Sequence, residues 1–589
     1  MKLKNIILLG VISSISPNAI CQQNEYLDIN NLKTKVNYKG NIVHDQNGIG
    51  IEAGINSGAS LLYESEFGII NLDHNNYLKW AKSGEAYRIF QSGPIMAPMH
   101  YANEVTNWEK VWKVNKSDID FHINNFSDPN YIIPASILDW PGNGDTSLYQ
   151  DFLLAPFVDL NNNNIYEPQL GDYPEIKGDQ AIWMIMNDEI WNTSTLNQWF
   201  MKIQVEVMAY AYKCNGDSAI DNSIFFNYKI ENKSNIDLDS TYFGIMNDFD
   251  IGDPYNDFSG CDVSRSTYYC YNGYPGDYIL GSDIGAIGLT IVSGPLKLDD
   301  GIDNPGPISN TSNINCQNAK MQNGICYYNQ AKGYSDGIID NERSGLESFC
   351  SYNSNNSMPF DYPNIASRYF YFCNNRWADG SNFYYGGSGY QTGVDVDQNN
   401  KCKYLFPGNS DSLGYGANPN SQDWNEISAG HLPNHRKQFG STGMFSIKAG
   451  NVEKIETAYV FARKYNTTLT DYEEIITEPV NIMLKRVDQL KEFDRTGRQC
   501  GNYFSINENI NKIKFNIYPN PFTNSFRIEL NEVNNDTEIT IVNMLGKEVK
   551  QIITNQIETE IDLSKYCSGI YFVKVKQGDV ISTKKIIKH

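Results

Sequence analysis

At 589 residues the chain is too long for one hydrophobic core, and length alone predicts several domains. Its formal net charge of −22 sets it against nucleic acid and anionic membrane surfaces as partners. A hydrophobic share of 41% excludes a disordered chain. The 39 Tyr, together with dense Asn, Asp and Gly, predict a mainly β, turn-rich extracellular protein.

The N-terminus reads as an export signal. Met1-Lys2-Leu3-Lys4 is a basic start, Ile6 to Ile15 an apolar run, and Ala19-Ile20-Cys21 a small-residue cleavage site, giving a signal peptide over 1–21. Asn18 and Ile20 fit a lipoprotein signal at Cys21 badly. No later apolar stretch reaches the roughly 18 residues a membrane span needs. Residues 22–139 read as an N-terminal β-rich region and 140–495 as a loop-rich β passenger, divided near Pro134 to Pro141.

Within the passenger, Asp159-Leu160-Asn161-Asn162-Asn163-Asn164-Ile165-Tyr166-Glu167 precedes Gly171-Asp172. Oxygen donors at alternate positions of a turning loop can converge on calcium, which takes six to eight hard oxygens. Asp159, Asn161, Asn163, Glu167 and Asp172 are therefore expected Ca²⁺ ligands. The fit to an EF-hand loop is partial, with Leu170 at the twelfth position, and an Asx turn that satisfies only its own backbone is the alternative.

Met201 to Tyr212 and Ser223 to Glu231 alternate as half-buried strands do, and Ser240 to Met246 reads as another strand. Asp248, Asp250, Asp253, Asp257 and Asp262 then crowd into fifteen residues, where a cation would offset their repulsion. They form a second expected Ca²⁺ site, with paired carboxylates of a hydrolase as the rival reading. The acid-rich turns at 299–303 and 395–399 are weaker versions of the same pattern. Residues 250–440 read as long loops.

Catalytic templates fail. His431 and His435 are four apart, but Pro433 between them denies the helix a zinc-protease motif requires, so they read as loop histidines. No nucleophile elbow, phosphate loop or dinucleotide fingerprint occurs. The aromatic stretch Trp377 to Tyr390 suits core packing, or stacking on sugar rings. For an exported chain disulfides are expected, with Cys261/Cys270, Cys316/Cys326 and Cys350/Cys373 the nearest pairs and Cys567 unpaired.

Val480, Met483, Leu484, Val487 and Leu490 recur at helical spacing and predict one terminal helix. A polar linker spans 496–514. Seven short strands follow, at 515–518, 525–530, 538–543, 547–552, 558–562, 569–575 and 581–587, reading as an immunoglobulin-like β-sandwich. This segment holds nine basic and nine acidic residues, so the whole negative charge lies before it.

The segment opens on Phe515-Asn516-Ile517-Tyr518-Pro519-Asn520-Pro521-Phe522 and passes through Asn543-Met544-Leu545-Gly546-Lys547 and Ser568-Gly569-Ile570-Tyr571-Phe572-Val573. It ends on Lys584-Lys585-Ile586-Ile587-Lys588-His589. In these pieces it resembles the type A C-terminal sorting domain of the type IX secretion system of Bacteroidota. That resemblance implies export through the periplasm to the cell surface or beyond, with the secretion machinery as partner. It also implies possible replacement of the domain by a lipopolysaccharide anchor.

Roughly residues 90–465 are similar to uncharacterised Bacteroidota surface proteins bearing this domain, through Trp140-Pro141, Gly171-Asp172-Tyr173-Pro174, Asp340-Asn341-Glu342-Arg343 and Trp377-Ala378-Asp379-Gly380. Asn434-His435-Arg436 departs from the Gly-Asp-Arg expected there. The functional expectation is a calcium-stabilised adhesion or surface-structural module with a glycan or protein ligand, against a secreted hydrolase using carboxylates of 248–262.

Overall fold

The computed structural model describes residues 23–589 apart from 85–89, 190–199, 305–331, 335, 354–364, 412–422, 465, 467, 497–499, 501–514, 531–536, 544–546, 567 and 578–579. The signal peptide, Cys316, Cys326, Cys567 and nearly all of the 496–514 linker lie outside these residues. The chain forms two compact units, Met1–Asn502 and Tyr503–His589.

The first unit is built on a nine-stranded antiparallel sheet. Its order is Asp257–Asp262, Thr267–Asn272, Gly285–Ser293, Val452–Arg463, Ser223–Asn232, Ile203–Ala211, Gln180–Asn187 and Gln91–Ser92, with Trp112–Asn115 also pairing Gln180–Asn187. A second sheet runs Leu346–Asn353, Arg436–Thr442, Leu238–Phe249, Glu64–Leu72 and Leu78–Lys82, with Phe445–Ile447 added on Leu238–Phe249. Segments before and after residue 140 thus share sheets. A smaller sheet joins Asn24–Leu27, Leu32–Asn37, Ile51–Ala53 and Ser60–Leu62.

The period-two alternation of a strand sorts side chains into two cores. Ile182, Met184 and Met186 enter one, with Val205, Val207, Phe226 and Tyr459 of the large sheet and Phe67, Phe243, Ile245 and Phe439 of the second. Ala181, Trp183 and Ile185 enter the other, on the opposite face. There the Tyr472–Thr496 helix lays down Ile476, Val480, Met483, Val487, Leu490 and Phe493. Burying each such side chain contributes about 1.5–3 kcal/mol. Asp471 starts the helix, accepting the Glu474 N–H at 3.1 Å. Pro479 falls within it, one residue before Val480, where the apolar periodicity predicts the helix to begin.

Several expectations need correction. Ile203–Ala211 is buried throughout, not half-buried, because a core covers each face of its sheet. The 250–440 stretch contributes five strands of the two large sheets, among them Asp257–Asp262 and Thr267–Asn272. Shorter helices also occur, including Lys116–Asn125 and Ile365–Cys373. Cys261 and Cys270 do not pair: the ladder sets Cys261 opposite Tyr268 and Cys270 opposite Ser259, two positions out of step. Cys350 and Cys373 are likewise separate buried thiols. Among the described residues a disulfide joins Cys214 to Cys500, with Cα atoms 4.8 Å apart.

The second unit is a seven-stranded sandwich. Phe515–Tyr518, Ser525–Leu530 and Glu558–Asp562 form one sheet. Glu548–Thr554, Thr537–Asn543, Gly569–Gln577 and Val580–Lys588 form the other. Phe515, Phe526, Ile528, Ile539, Ile541, Val573 and Ile586 fill the space between them. These strands match those read from the sequence to within a few residues.

Candidate functional site

The Asp159–Glu167 loop winds around its own side chains. Asp159 Oδ1 accepts the N–H groups of Asn161 and Asn162 at 3.2 and 2.7 Å, and Oδ2 that of Asn164 at 2.7 Å. Asn161 Oδ1 accepts from Asn163 N at 3.1 Å, and Asn163 Oδ1 from Ile165 N at 2.7 Å. Asn162 and Asn164 take positive φ angles of 60° and 62°, which asparagine tolerates better than most residues. Glu167 folds back so that Oε2 accepts from Asn161 Nδ2 at 3.2 Å and Asn163 Nδ2 at 2.7 Å.

Asp159, Asn161, Asn163 and Glu167 are thus gathered in one exposed loop. Asp172 differs. It is fully buried, and its two oxygens accept from Leu160 N at 2.9 Å and Glu167 N at 2.8 Å, closing the base of the loop. Asn143 braces the far side, its Nδ2 donating to the Asn164 carbonyl at 2.9 Å.

The five carboxylates of 248–262 separate into different environments. Asp253 accepts Tyr255 N at 3.0 Å and caps a short turn. Asp257 is fully buried, accepts Ile251 N at 3.1 Å, and has its carboxyl pushed well above the usual range by burial. Asp262 takes Arg265 Nη1 at 2.7 Å. Asp248 and Asp250 instead meet His435. Its Nε2 lies 2.8 Å from Asp248 Oδ1 and 3.2 Å from Asp250 Oδ1, and Lys437 Nζ stands 3.3 Å from Asp248 Oδ2.

Strand register explains this grouping. Asp248 lies across from Lys437 and Phe249 from Arg436, so the next step of the ladder places Asp250 beside His435. The two aspartates share one face of the strand while Phe249 between them enters the core. Contacts with Asp248 and Asp250 hold the His435 imidazole charged, its pKa up to about 9. Among the described residues, Asp248, Asp250 and His435 are the His, Cys, Asp or Glu side chains whose donor atoms converge within 4.8 Å. His435 is the member that sequence reasoning left as a loop histidine.

Other residues singled out from sequence serve packing or turns. Trp377 is fully buried against Phe383 and donates from Nε1 to the Gly389 carbonyl at 3.1 Å. Asp300 and Asp340 tie the 299–303 turn to a second acidic turn, with Asp340 Oδ1 accepting from Asp300 N at 2.8 Å. Asp397 Oδ1 accepts Asn399 N at 3.0 Å. A cavity of about 500 Å³ that sequence reasoning missed is lined by Lys177, Asp179, Tyr210, Tyr212, Glu456 and Phe493, among others. Burial, with Glu456 and Asp179 nearby, pushes the Tyr212 hydroxyl up to about 12.

No helix among the described residues is long and apolar enough to cross a membrane. No curated protein matches the chain. A solved structure described as a polysaccharide lyase is 7% identical, covering 74% of this chain and 38% of its own length, with a TM-score of 0.16. The family model for the secretion system C-terminal sorting domain matches residues 516–589. The chain therefore carries a type IX sorting domain at its C-terminus and is a protein sorted by that system to the cell surface or outside the cell.

Proposed function

We propose that the passenger is a calcium-stabilised binding or surface-structural module, carried across the periplasm after signal-peptide removal and displayed or released outside. One observation carries the calcium reading. Asp159, Asn161, Asn163 and Glu167, separated along the sequence by the spacing of a cation loop, are drawn together with Glu167 folded onto both asparagines. Each asparagine carbonyl spends one lone pair on the backbone and keeps a second for a ligand. Calcium would displace the amide contacts to Glu167 and bind that carboxylate, the Asp159 carboxylate and the amide carbonyls; Asp172 would hold the loop from beneath.

The ligand class that suits an acidic extracellular protein is a neutral glycan or a basic protein segment. Titration calorimetry of the full chain with Ca²⁺ tests the metal step. One site should appear and be lost in Asp159→Ala. Absence of heat in the parent protein would remove the calcium reading.

A further inference from the structure

We propose that Asp248, Asp250 and His435 form a second metal site, one that takes a borderline first-row divalent ion of the Zn²⁺ class. The site is distinct from the calcium loop in place and in chemistry, and does not rest on it. The first observation is the donor set. An imidazole nitrogen with two carboxylate oxygens favours zinc-class ions over calcium, which prefers oxygen alone. Three protein ligands with further positions open are also the usual complement of an accessible zinc site.

The second observation is an imbalance in hydrogen bonding. Nε2 of His435 carries at most one proton, and that proton is given to Asp248 Oδ1. Asp250 Oδ1 is shielded from solvent and lies 3.2 Å from the same nitrogen, an ion pair that lacks the geometry of a full hydrogen bond. One proton shared between two carboxylate oxygens binds the second weakly, whereas one dication can bind both fully. Separations of 2.8 and 3.2 Å are also close to the roughly 3.3 Å between ligand atoms that tetrahedral zinc with bonds of about 2.0 Å imposes.

The surroundings support the arrangement. Lys437 binds the other oxygen of Asp248, which fixes the carboxylate so that Oδ1 faces the cluster. Arg436, next to His435, is anchored in the interior by Glu426, so the segment bearing the imidazole is held in place. The partly exposed His435 and Asp250 leave a path for an ion and its water ligands. On binding, the metal takes the lone pair of Nε2 and the displaced proton passes to solvent.

The probe is Co²⁺, whose visible absorption reports coordination by nitrogen and oxygen. Titration of the full chain is expected to give a saturable band at one Co²⁺ per chain, unaffected by excess Ca²⁺ and displaced by Zn²⁺. His435→Ala should abolish the band, and Asp250→Asn should weaken binding at least tenfold. Asp253→Asn, outside the cluster, should leave it intact. His435→Gln, which keeps a polar side chain, guards against a fold defect, with unchanged circular dichroism as the control. A parent protein without a saturable band, or a band that survives both His435→Gln and Asp250→Asn, would overturn the assignment. Failure of the calcium titration would leave this result untouched.

Discussion

Arg436 closes on Glu426 in the interior of the passenger, with Nη2 2.6 Å from Oε2 and Nε 3.1 Å from both carboxylate oxygens. Glu426 is 1% exposed, so neither charge has water to fall back on. Ser259 donates to the same carboxylate, and His431 Nδ1 lies 3.3 Å from Oε2. Burial alone would raise the Glu426 carboxyl, but Arg436, His431 and Ser259 outweigh it and hold the pKa down to about 2.

A carboxylate whose folded pKa is depressed contributes stability above its unfolded value near 4.3 and loses it as pH falls toward 2. Removing one partner of a buried pair costs about 3–5 kcal/mol. Glu426→Gln should therefore be destabilised by about that amount at neutral pH. Its deficit against the parent should shrink as pH drops from about 4.5 to about 2, measured by urea unfolding across that range.

The Cys214–Cys500 bridge closes a loop with a sequence separation of 286, tying the connection after the interior strand Ile203–Ala211 to a residue just beyond the terminal helix. Loops of 100 residues or more give a disulfide about 4–5 kcal/mol of stabilisation in the chain-entropy model. Cys214→Ser should lower the melting temperature of the passenger under oxidising conditions, and reductant should then have little further effect. Calorimetry with and without reductant reads both outcomes.

Gly244, in the second sheet, faces the ring of Phe439 on the neighbouring strand. A Cβ built there would lie 2.3 Å from the Phe439 ring, and that ring is fully buried. Gly244→Ala should cost about 1–3 kcal/mol, the usual penalty of overpacking a filled core. A double change of Gly244→Ala with Phe439→Leu should recover part of it, seen as a higher midpoint of unfolding than the single variant.

Much of the fold is legible in the sequence where composition and local period agree. The seven strands of the sorting domain alternate cleanly between turn residues, and each occurs where that alternation places it. The strands at Asp257–Asp262 and Thr267–Asn272 fall in a stretch that reads as loop-rich, because Ser259, Gly260 and Cys261 offer little apolar pattern. Bulky tyrosines across the ladder fill the space instead: a Cβ at Gly260 would lie 2.8 Å from the Tyr269 hydroxyl oxygen.

The candidate sites divide the same way. The Asp159–Glu167 loop is local, so spacing alone places its side chains together. The meeting of Asp248 with His435 spans 187 positions and depends on strand register, which no local pattern reveals. Asp253, Asp257 and Asp262 share the sequence neighbourhood of Asp248, but Asp253 caps the turn that follows it, Asp262 pairs with Arg265 three residues on, and Asp257 is buried.

The sorting domain at 516–589 implies that export runs through the last unit. A chain ending at residue 514 should accumulate inside the outer membrane of its native host, while the full chain reaches the surface or medium. Fractionation followed by immunoblotting distinguishes these fates.

The proposed calcium stabilisation of the passenger is tested most directly by differential scanning calorimetry in millimolar Ca²⁺ and in excess chelator. With free calcium at a hundred times the dissociation constant, the stabilisation is about 2.7 kcal/mol. The passenger transition should therefore rise by several degrees in Ca²⁺, and Asp159→Ala should melt at the chelator temperature in both solutions. A parent protein whose transition does not move between calcium and chelator would contradict it.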